Sequence, residues 1–205
     1  MRGETRVWVQ GRLVEPTDPV VGALDHGLVV GDGVFEATKI VDGRPFALTR
    51  HGRRMDRSAQ GLGLPPIDHD LLREGIAAVL AAGPPIAFGK LRYWVTAGVQ
   101  GLGTDRGEPG LRYFVAAAPL PRVPASGAIH VVHWTRNESA PTAGLKTTSY
   151  ADNVVALAAA RRRGAVEAVF ANTRGDLCEG TGSNVFVVTQ GHILTPRWSA
   201  GRSPG

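Results

Sequence analysis

The chain has 205 residues and a net charge of +5, with 43% hydrophobic and 20% charged residues. That is enough to bury a core in one domain or two small ones. No apolar run reaches the roughly 20 residues that cross a bilayer, and the N-terminal MRGETRVWVQG lacks a signal-peptide core. Together with a single cysteine, Cys178, which cannot form an intrachain disulfide, this predicts a cytoplasmic protein. The basic charge is nearly all arginine, since Lys39, Lys90 and Lys146 are the only lysines. The arginines are scattered, without zinc-finger spacing or an aromatic–basic RNA-binding pattern, so a nucleic-acid partner is not expected.

In chain order, Arg6 to Val14 reads as a hairpin about Gln10-Gly11, and Val34 to Phe46 as a second about Asp42-Gly43, a pair suited to a tight type I′ turn. Thr49 is a candidate cap for a helix through about Gln60, and Asp68 for another through Ala82 with an apolar stripe from Leu71 to Leu80. Strands follow at Leu91 to Thr96 and Leu111 to Ala117. This order of strands, helices and strands predicts an α+β domain over residues 1–118. Pro119 to Gly127, with three prolines, reads as a linker. Residues 128–205 then form a second, strand-rich part, with a strand at Ile129 to Trp134, a helix from Tyr150 to Arg163 closed by Gly164, and strands at Val166 to Phe170 and Val185 to Val188.

Three segments carry candidate chemistry. Lys146 lies in GLKTTSYADN, a small polar run before a helix. A lysine acting as a free amine needs its usual pKa lowered by burial or by cationic neighbours, and the alternative is an ordinary surface lysine. In EGTGSN, Glu179 to Asn184, Gly180 and Gly182 allow close backbone approach or positive φ. Here Glu179 is a carboxylate for a cleft, and the amides and hydroxyls of Thr181 and Ser183 suit an anion. The competing reading is a plain inter-strand turn. In RHGRRMDRSA, the arginines Arg50, Arg54 and Arg57 share a helical face, which is either solvated or turned to an anionic group that a planar fork suits. His51 belongs to no metal set, and His130 and His133 form a pair without further ligands, so no metal is expected. Cys178 has no base partner in the sequence and reads as a packing residue.

Together, DHGLVVGDGVFEATKI (25–40), HGRRMDRSA (51–59), LKTTSYADNVVALAAARRRG (145–164) and NTRGDLCEGTGSNVFVV (172–188) resemble the class IV aminotransferases, the fold type IV pyridoxal-phosphate enzymes. The resemblance runs from about Val7 to Pro196. It implies a two-domain α+β fold, pyridoxal 5′-phosphate as cofactor, and a homodimer. By the same resemblance, Lys146 is similar to the lysine that bonds to the cofactor and then serves as general base. Glu179 resembles the carboxylate on the pyridine nitrogen, and Arg54 the phosphate-binding arginine of an H-x-x-R pattern. Tyr150 resembles the tyrosine near the ring oxygen. Thr181, Gly182, Ser183 and Asn184 would lie along the cofactor, and Phe35 would wall the substrate pocket.

Within that family, GDGVFE and the short KTTSY spacing resemble the aminodeoxychorismate lyase and D-amino-acid branches more than the branched-chain one. No Arg-x-His carboxylate trap stands after Val95, and Arg106 is the candidate for a substrate carboxylate. The expected reaction is conversion of 4-amino-4-deoxychorismate to 4-aminobenzoate and pyruvate. The alternatives are amino transfer from branched-chain or D-amino acids to 2-oxoglutarate, and a truncated member without turnover. The family pattern continues after LTP into a further phosphate-binding helix, whereas this sequence has RWSAGRSPG. An incomplete C-terminal domain is therefore expected. One permitted codon choice for that tail, read in a neighbouring frame, encodes PLVGGAVPG, close to the family's continuation, and a frameshift is the hypothesis that the nucleotide sequence tests.

Overall fold

A computed structural model of the chain describes residues 5–108 and 110–196. The tail segment RWSAGRSPG, on which the frameshift expectation rests, lies outside the described residues. The elements in order are β1 (Arg6–Val9), β2 (Arg12–Val14), α1 (His26–Val29), β3 (Gly33–Val41), β4 (Arg44–Pro45), α2 (Leu48–Leu62), α3 (His69–Ala81), β5 (Phe88–Thr96) and β6 (Arg112–Pro119). Then come β7 (Ile129–Arg136), α4 (Ala151–Arg162), β8 (Glu167–Asn172), β9 (Leu177–Gly180), β10 (Val187–Thr189) and β11 (His192–Leu194).

The chain divides into two compact units, and the division falls between Arg122 and Val123, inside the proline-rich stretch. Lys146–Ser149 groups with the first unit. This corrects the expected assignment of everything from 128 onward to the second part. The reason is a strand-like pairing that local sequence does not signal: Thr147 bridges to Val34, Phe35 N–H donates to the Lys146 carbonyl at 3.1 Å, and Thr148 N–H donates to the Gly33 carbonyl at 2.8 Å.

The first unit is an antiparallel sheet in the order β2-β1-β6-β5-β3-β4 with α2 and α3 on one face. Alternation along the strands sends Val34, Ile40, Leu91, Val95 and Val115 to that face, where they meet Met55, Leu72, Ile76 and Val79. Each such fully buried aliphatic side chain contributes about 1.5–3 kcal/mol. Gly75 lets α3 come down on Trp8, because a Cβ there would stand 2.6 Å from the indole. Both tight turns have the left-handed backbone that a type I′ turn demands, with φ of 46° and 92° at Gln10 and Gly11 and of 47° and 73° at Asp42 and Gly43. Asp68 caps α3, accepting from Asp70 N–H and Leu71 N–H at 3.0 Å each. Thr49 does not cap α2. The helix starts at Leu48 behind Ala47, whose φ is +53°, with no side-chain cap. The chain turns straight out of β4, so a left-handed residue rather than a hydroxyl sets the helix entry.

In the second unit β7 and β8 are parallel, with β9 antiparallel on the far side of β8. Ala156 and Ala160 of α4 bury against Val132, Ala168, Phe170 and Cys178, the small side chains allowing the helix close to the sheet. Glu179 lies on β9, so the NTRGDLCEGTGSN stretch is not one long turn but a strand followed by a short loop. The hairpin of β10 and β11 pairs Val188 with Ile193 and is exposed throughout. No described helix is long and apolar enough to cross a membrane.

Candidate active site

In the first unit, Lys146 is fixed by its backbone. Its carbonyl accepts from Phe35 N–H, and its N–H donates to the buried Ser58 hydroxyl at 3.0 Å. The Thr148 and Ser149 hydroxyls both donate to the Gly31 carbonyl, at 2.8 and 3.1 Å. Gly31 permits this close packing, since its φ is +74° and a Cβ there would lie 2.3 Å from the Ser149 hydroxyl oxygen. The half-buried Lys146 places Nζ 4.3 Å from the centroid of the Phe35 ring. The guanidinium of Arg92 stands 4.0 Å from the same centroid. Phe35 is thus an apolar floor carrying two cations.

Arg54, on α2, grips Glu36 of β3 with two prongs, Nε to Oε1 at 2.6 Å and a terminal nitrogen to Oε2 at 2.5 Å. His51 adds a contact from Nδ1 to Oε2 at 2.7 Å. Burial pushes the Glu36 carboxyl up, but the bonds from Arg54 and His51 outweigh it and hold the group below its ordinary value. Neither Glu36 nor its partnership with the H-x-x-R arginine was visible beforehand, because residues 36 and 54 meet only in the fold. Arg106 is likewise committed within the unit. Its Nε and a terminal nitrogen donate to Asp32 at 2.6 and 2.5 Å, and the other terminal nitrogen to the Gly63 carbonyl at 3.0 Å. Arg106, the candidate for a substrate carboxylate, thus has an internal carboxylate partner in Asp32. Asp32 also meets Nδ1 of the buried His26 at 3.0 Å, while His26 Nε2 lies 3.0 Å from the Gly103 carbonyl.

In the second unit, Glu179 is half-buried on β9, with its Oε1 3.8 Å from a terminal nitrogen of Arg136. Tyr150 occupies the position before α4, with φ of −111° and no capping bond from its side chain. The loop after β9 does embrace an anion, but that anion is Glu167. Its carboxylate accepts from the Thr181 hydroxyl, from Thr181 N–H at 3.1 Å and from the Ser183 hydroxyl at 2.8 Å. Burial raises the Glu167 pKa, and these hydrogen bonds bring it below the ordinary value. Thr181 and Ser183 therefore have a partner that the sequence reading did not supply. Neither Gly180 nor Gly182 has a positive φ; a Cβ on Gly182 would meet open space, and Asn184 is exposed. Among the described residues no cluster of three His, Cys, Asp or Glu is placed to hold a metal ion.

A family model described as amino-transferase class IV matches residues 33–205. The chain belongs to the class IV aminotransferase family. The match continues past Pro196, where the motif resemblance stops, through to Gly205. The chain is 30% identical over 198 residues to a putative branched-chain-amino-acid aminotransferase of Methanocaldococcus jannaschii, covering 93% of this chain and 68% of that protein. It is 32% identical over 212 residues to a bifunctional aminodeoxychorismate lyase / D-amino acid transaminase of Mycobacterium tuberculosis, covering 93% and 71%. The fold is similar to a solved hypothetical aminotransferase of Mycobacterium tuberculosis in its PLP-bound form, with a TM-score of 0.83, 28% identity, and coverage of 98% of this chain and 74% of that one. The architecture is thus the α+β fold of type IV, over about 70% of the length of its relatives.

Class IV aminotransferases are pyridoxal-phosphate enzymes. The donor chemistry of each unit fits that group: the first offers a primary amine beside an aromatic ring, and the second a carboxylate backed by a guanidinium.

Proposed function

We propose that this chain is a pyridoxal-phosphate-dependent lyase that converts 4-amino-4-deoxychorismate to 4-aminobenzoate and pyruvate. The observation that carries the cofactor chemistry is the fixed place of Lys146, whose backbone is tied to β3 and Ser58 while its Nζ sits over Phe35. When bound, the cofactor supplies an electron sink for charge developing at the substrate's α-carbon. Lys146 would bond to the cofactor and, once displaced by the substrate amine, take the α-proton at Nζ as general base. Glu179 would accept the N–H of the pyridine ring. Arg54, Tyr150 and the Thr181–Asn184 loop would contact the cofactor, with Phe35 walling the substrate side.

The preference for lyase chemistry is supported by GDGVFE, by the short lysine-to-tyrosine spacing, and by the likeness to a bifunctional lyase and transaminase. A second reading, amino transfer from a D-amino or branched-chain amino acid to 2-oxoglutarate, draws on that relative's other activity and on the M. jannaschii protein. Supplying the purified protein with aminodeoxychorismate and following pyruvate tests the first reading. Glutamate formation from 2-oxoglutarate with D-alanine or leucine as donor tests the second. Neither product, with cofactor bound, would mark a member of the family without turnover. We read the protein as a cytoplasmic homodimer, which analytical ultracentrifugation checks for the oligomer.

A further inference from the structure

Arg136 closes β7, and its Nε is buried with no hydrogen-bond partner, the one such side-chain atom among the described residues. An unpaired buried donor is unfavourable, so other contacts must set where this guanidinium lies. Three do so. Its central carbon is 4.2 Å from the centroid of the buried Phe170 ring. One terminal nitrogen donates to Asn153 Oδ1 at 2.8 Å. The same nitrogen stands 3.8 Å from Glu179 Oε1.

Asn153 is itself buried and aimed, because its Nδ2 donates to the Thr181 carbonyl at 2.5 Å and so leaves Oδ1 to face the arginine. The 3.8 Å separation from Glu179 is within ion-pair range but too long for a hydrogen bond. Through this contact the arginine supplies charge without occupying a carboxylate lone pair. The guanidinium thus lies with Nε unpaired and a terminal nitrogen beside β9.

We propose that Arg136 is the positioning residue for Glu179, holding its carboxylate charged and in place to receive the ring N–H of pyridoxal phosphate, while Asn153 and Phe170 hold Arg136. This rests on the reading of Glu179 given under the proposed function. Nothing in the amino-acid pattern marks Arg136 for the role, since the contacts join β7, α4, β8 and β9.

The test compares two probes, pyridoxal 5′-phosphate and its 1-deaza analogue, which carries C–H in place of the ring nitrogen. Dissociation constants are measured by fluorescence titration for the wild type, Arg136→Met, Glu179→Gln and the double variant. Arg136→Met should weaken pyridoxal phosphate about tenfold and leave the analogue no weaker, as loss of one charge-assisted contact implies. Glu179→Gln should show the same selectivity, more strongly. The double variant should match Glu179→Gln within about twofold, because residues acting as one unit are not additive. Equal weakening of both probes by Arg136→Met, or additive losses in the double variant, would overturn the inference and leave a merely structural arginine. If Glu179→Gln does not distinguish the probes, or the wild type binds neither, the reading of Glu179 falls and the inference with it. Should Arg136→Met fail to fold, Phe170→Leu, which removes only the ring beneath the guanidinium, should weaken pyridoxal phosphate selectively by about threefold; no selective loss there overturns the proposal.

Discussion

Glu36 and Arg54 form a two-pronged ion pair across β3 and α2, with the Glu36 side chain fully enclosed and Arg54 nearly so. Removing the cation from such a pair leaves an uncompensated buried charge. Arg54→Met should therefore destabilise the first unit by about 3–5 kcal/mol, seen as faster amide exchange along β3 and α2. A change below about 0.5 kcal/mol would mean that Glu36 finds another partner or takes up a proton at little cost.

The same pair sets a response to acid. Glu36 is raised by burial and lowered further by its Arg54 and His51 bonds, so its folded value lies below the ordinary one. A depressed carboxylate contributes stability above its unfolded pKa, 4.5, and loses it as pH falls through the folded value. The Glu36 share of the urea unfolding midpoint, the difference between wild type and Glu36→Gln, should hold from pH 7 to about 5 and fall below that. The acid fall of the midpoint itself should be shallower in Glu36→Gln. An unchanged acid slope in that variant would remove Glu36 from the account.

His26 carries the opposite sign. Its Nδ1 bond to Asp32 and its Nε2 bond to the Gly103 carbonyl both raise its pKa above 6.5, and the two bonds together require the doubly protonated ring. Its contribution is fully present below 6.5 and is lost as pH rises through the folded value. The imidazole titration followed by NMR should therefore lie above 6.5 and move back towards it in Asp32→Asn. An Asp32→Asn variant with the wild-type titration would contradict this network.

Much of the scaffold was legible because its signals are local. Gln10-Gly11 and Asp42-Gly43 announce their turns through the backbone angles that they alone tolerate cheaply, and Asp68 announces α3 through its cap. Thr49 misled because a left-handed Ala47 does the same work with no characteristic side chain. What stayed hidden depends on distant partners. Thr147 pairs with Val34 over more than a hundred residues, and Glu36, Asp32 and Glu167 acquire their roles only from arginines, hydroxyls and amides brought to them by the fold. Lys146 and Glu179 stand out in the sequence through their motifs, whereas the pairing of Arg106 with Asp32 and of the Thr181 and Ser183 hydroxyls with Glu167 is created only by the fold.

Glu167 organises the loop after β9 by accepting from Thr181 and Ser183. Glu167→Gln keeps the shape but exchanges one acceptor oxygen for a donor, opposing a hydroxyl or an amide that now lacks its partner. The expected cost is about 1–2 kcal/mol, with exchange at Thr181 N–H accelerated relative to β8. Unaltered protection at Thr181 would show that the loop holds itself without Glu167.

The Ser58 hydroxyl accepts the Lys146 N–H in a buried setting. Ser58→Ala should leave that amide unsatisfied, costing about 1–2 kcal/mol locally, and should raise exchange at Lys146 more than at the centre of β5. Because the change loosens the segment that bears the lysine, it should also slow covalent capture of pyridoxal phosphate. Equal capture rates in the two proteins would dissociate the backbone anchor from the reactivity of the side chain.

The proposed function rests on Lys146 as the covalent anchor of the cofactor. The most direct measurement is the visible absorbance spectrum of the purified protein with pyridoxal 5′-phosphate, wild type beside Lys146→Ala, followed by borohydride reduction and peptide mapping. The account predicts a band of the lysine-bound cofactor in the wild type only, with the reduced adduct on the peptide containing Lys146. The same band in both proteins, or an adduct mapped to Lys39 or Lys90, would contradict it.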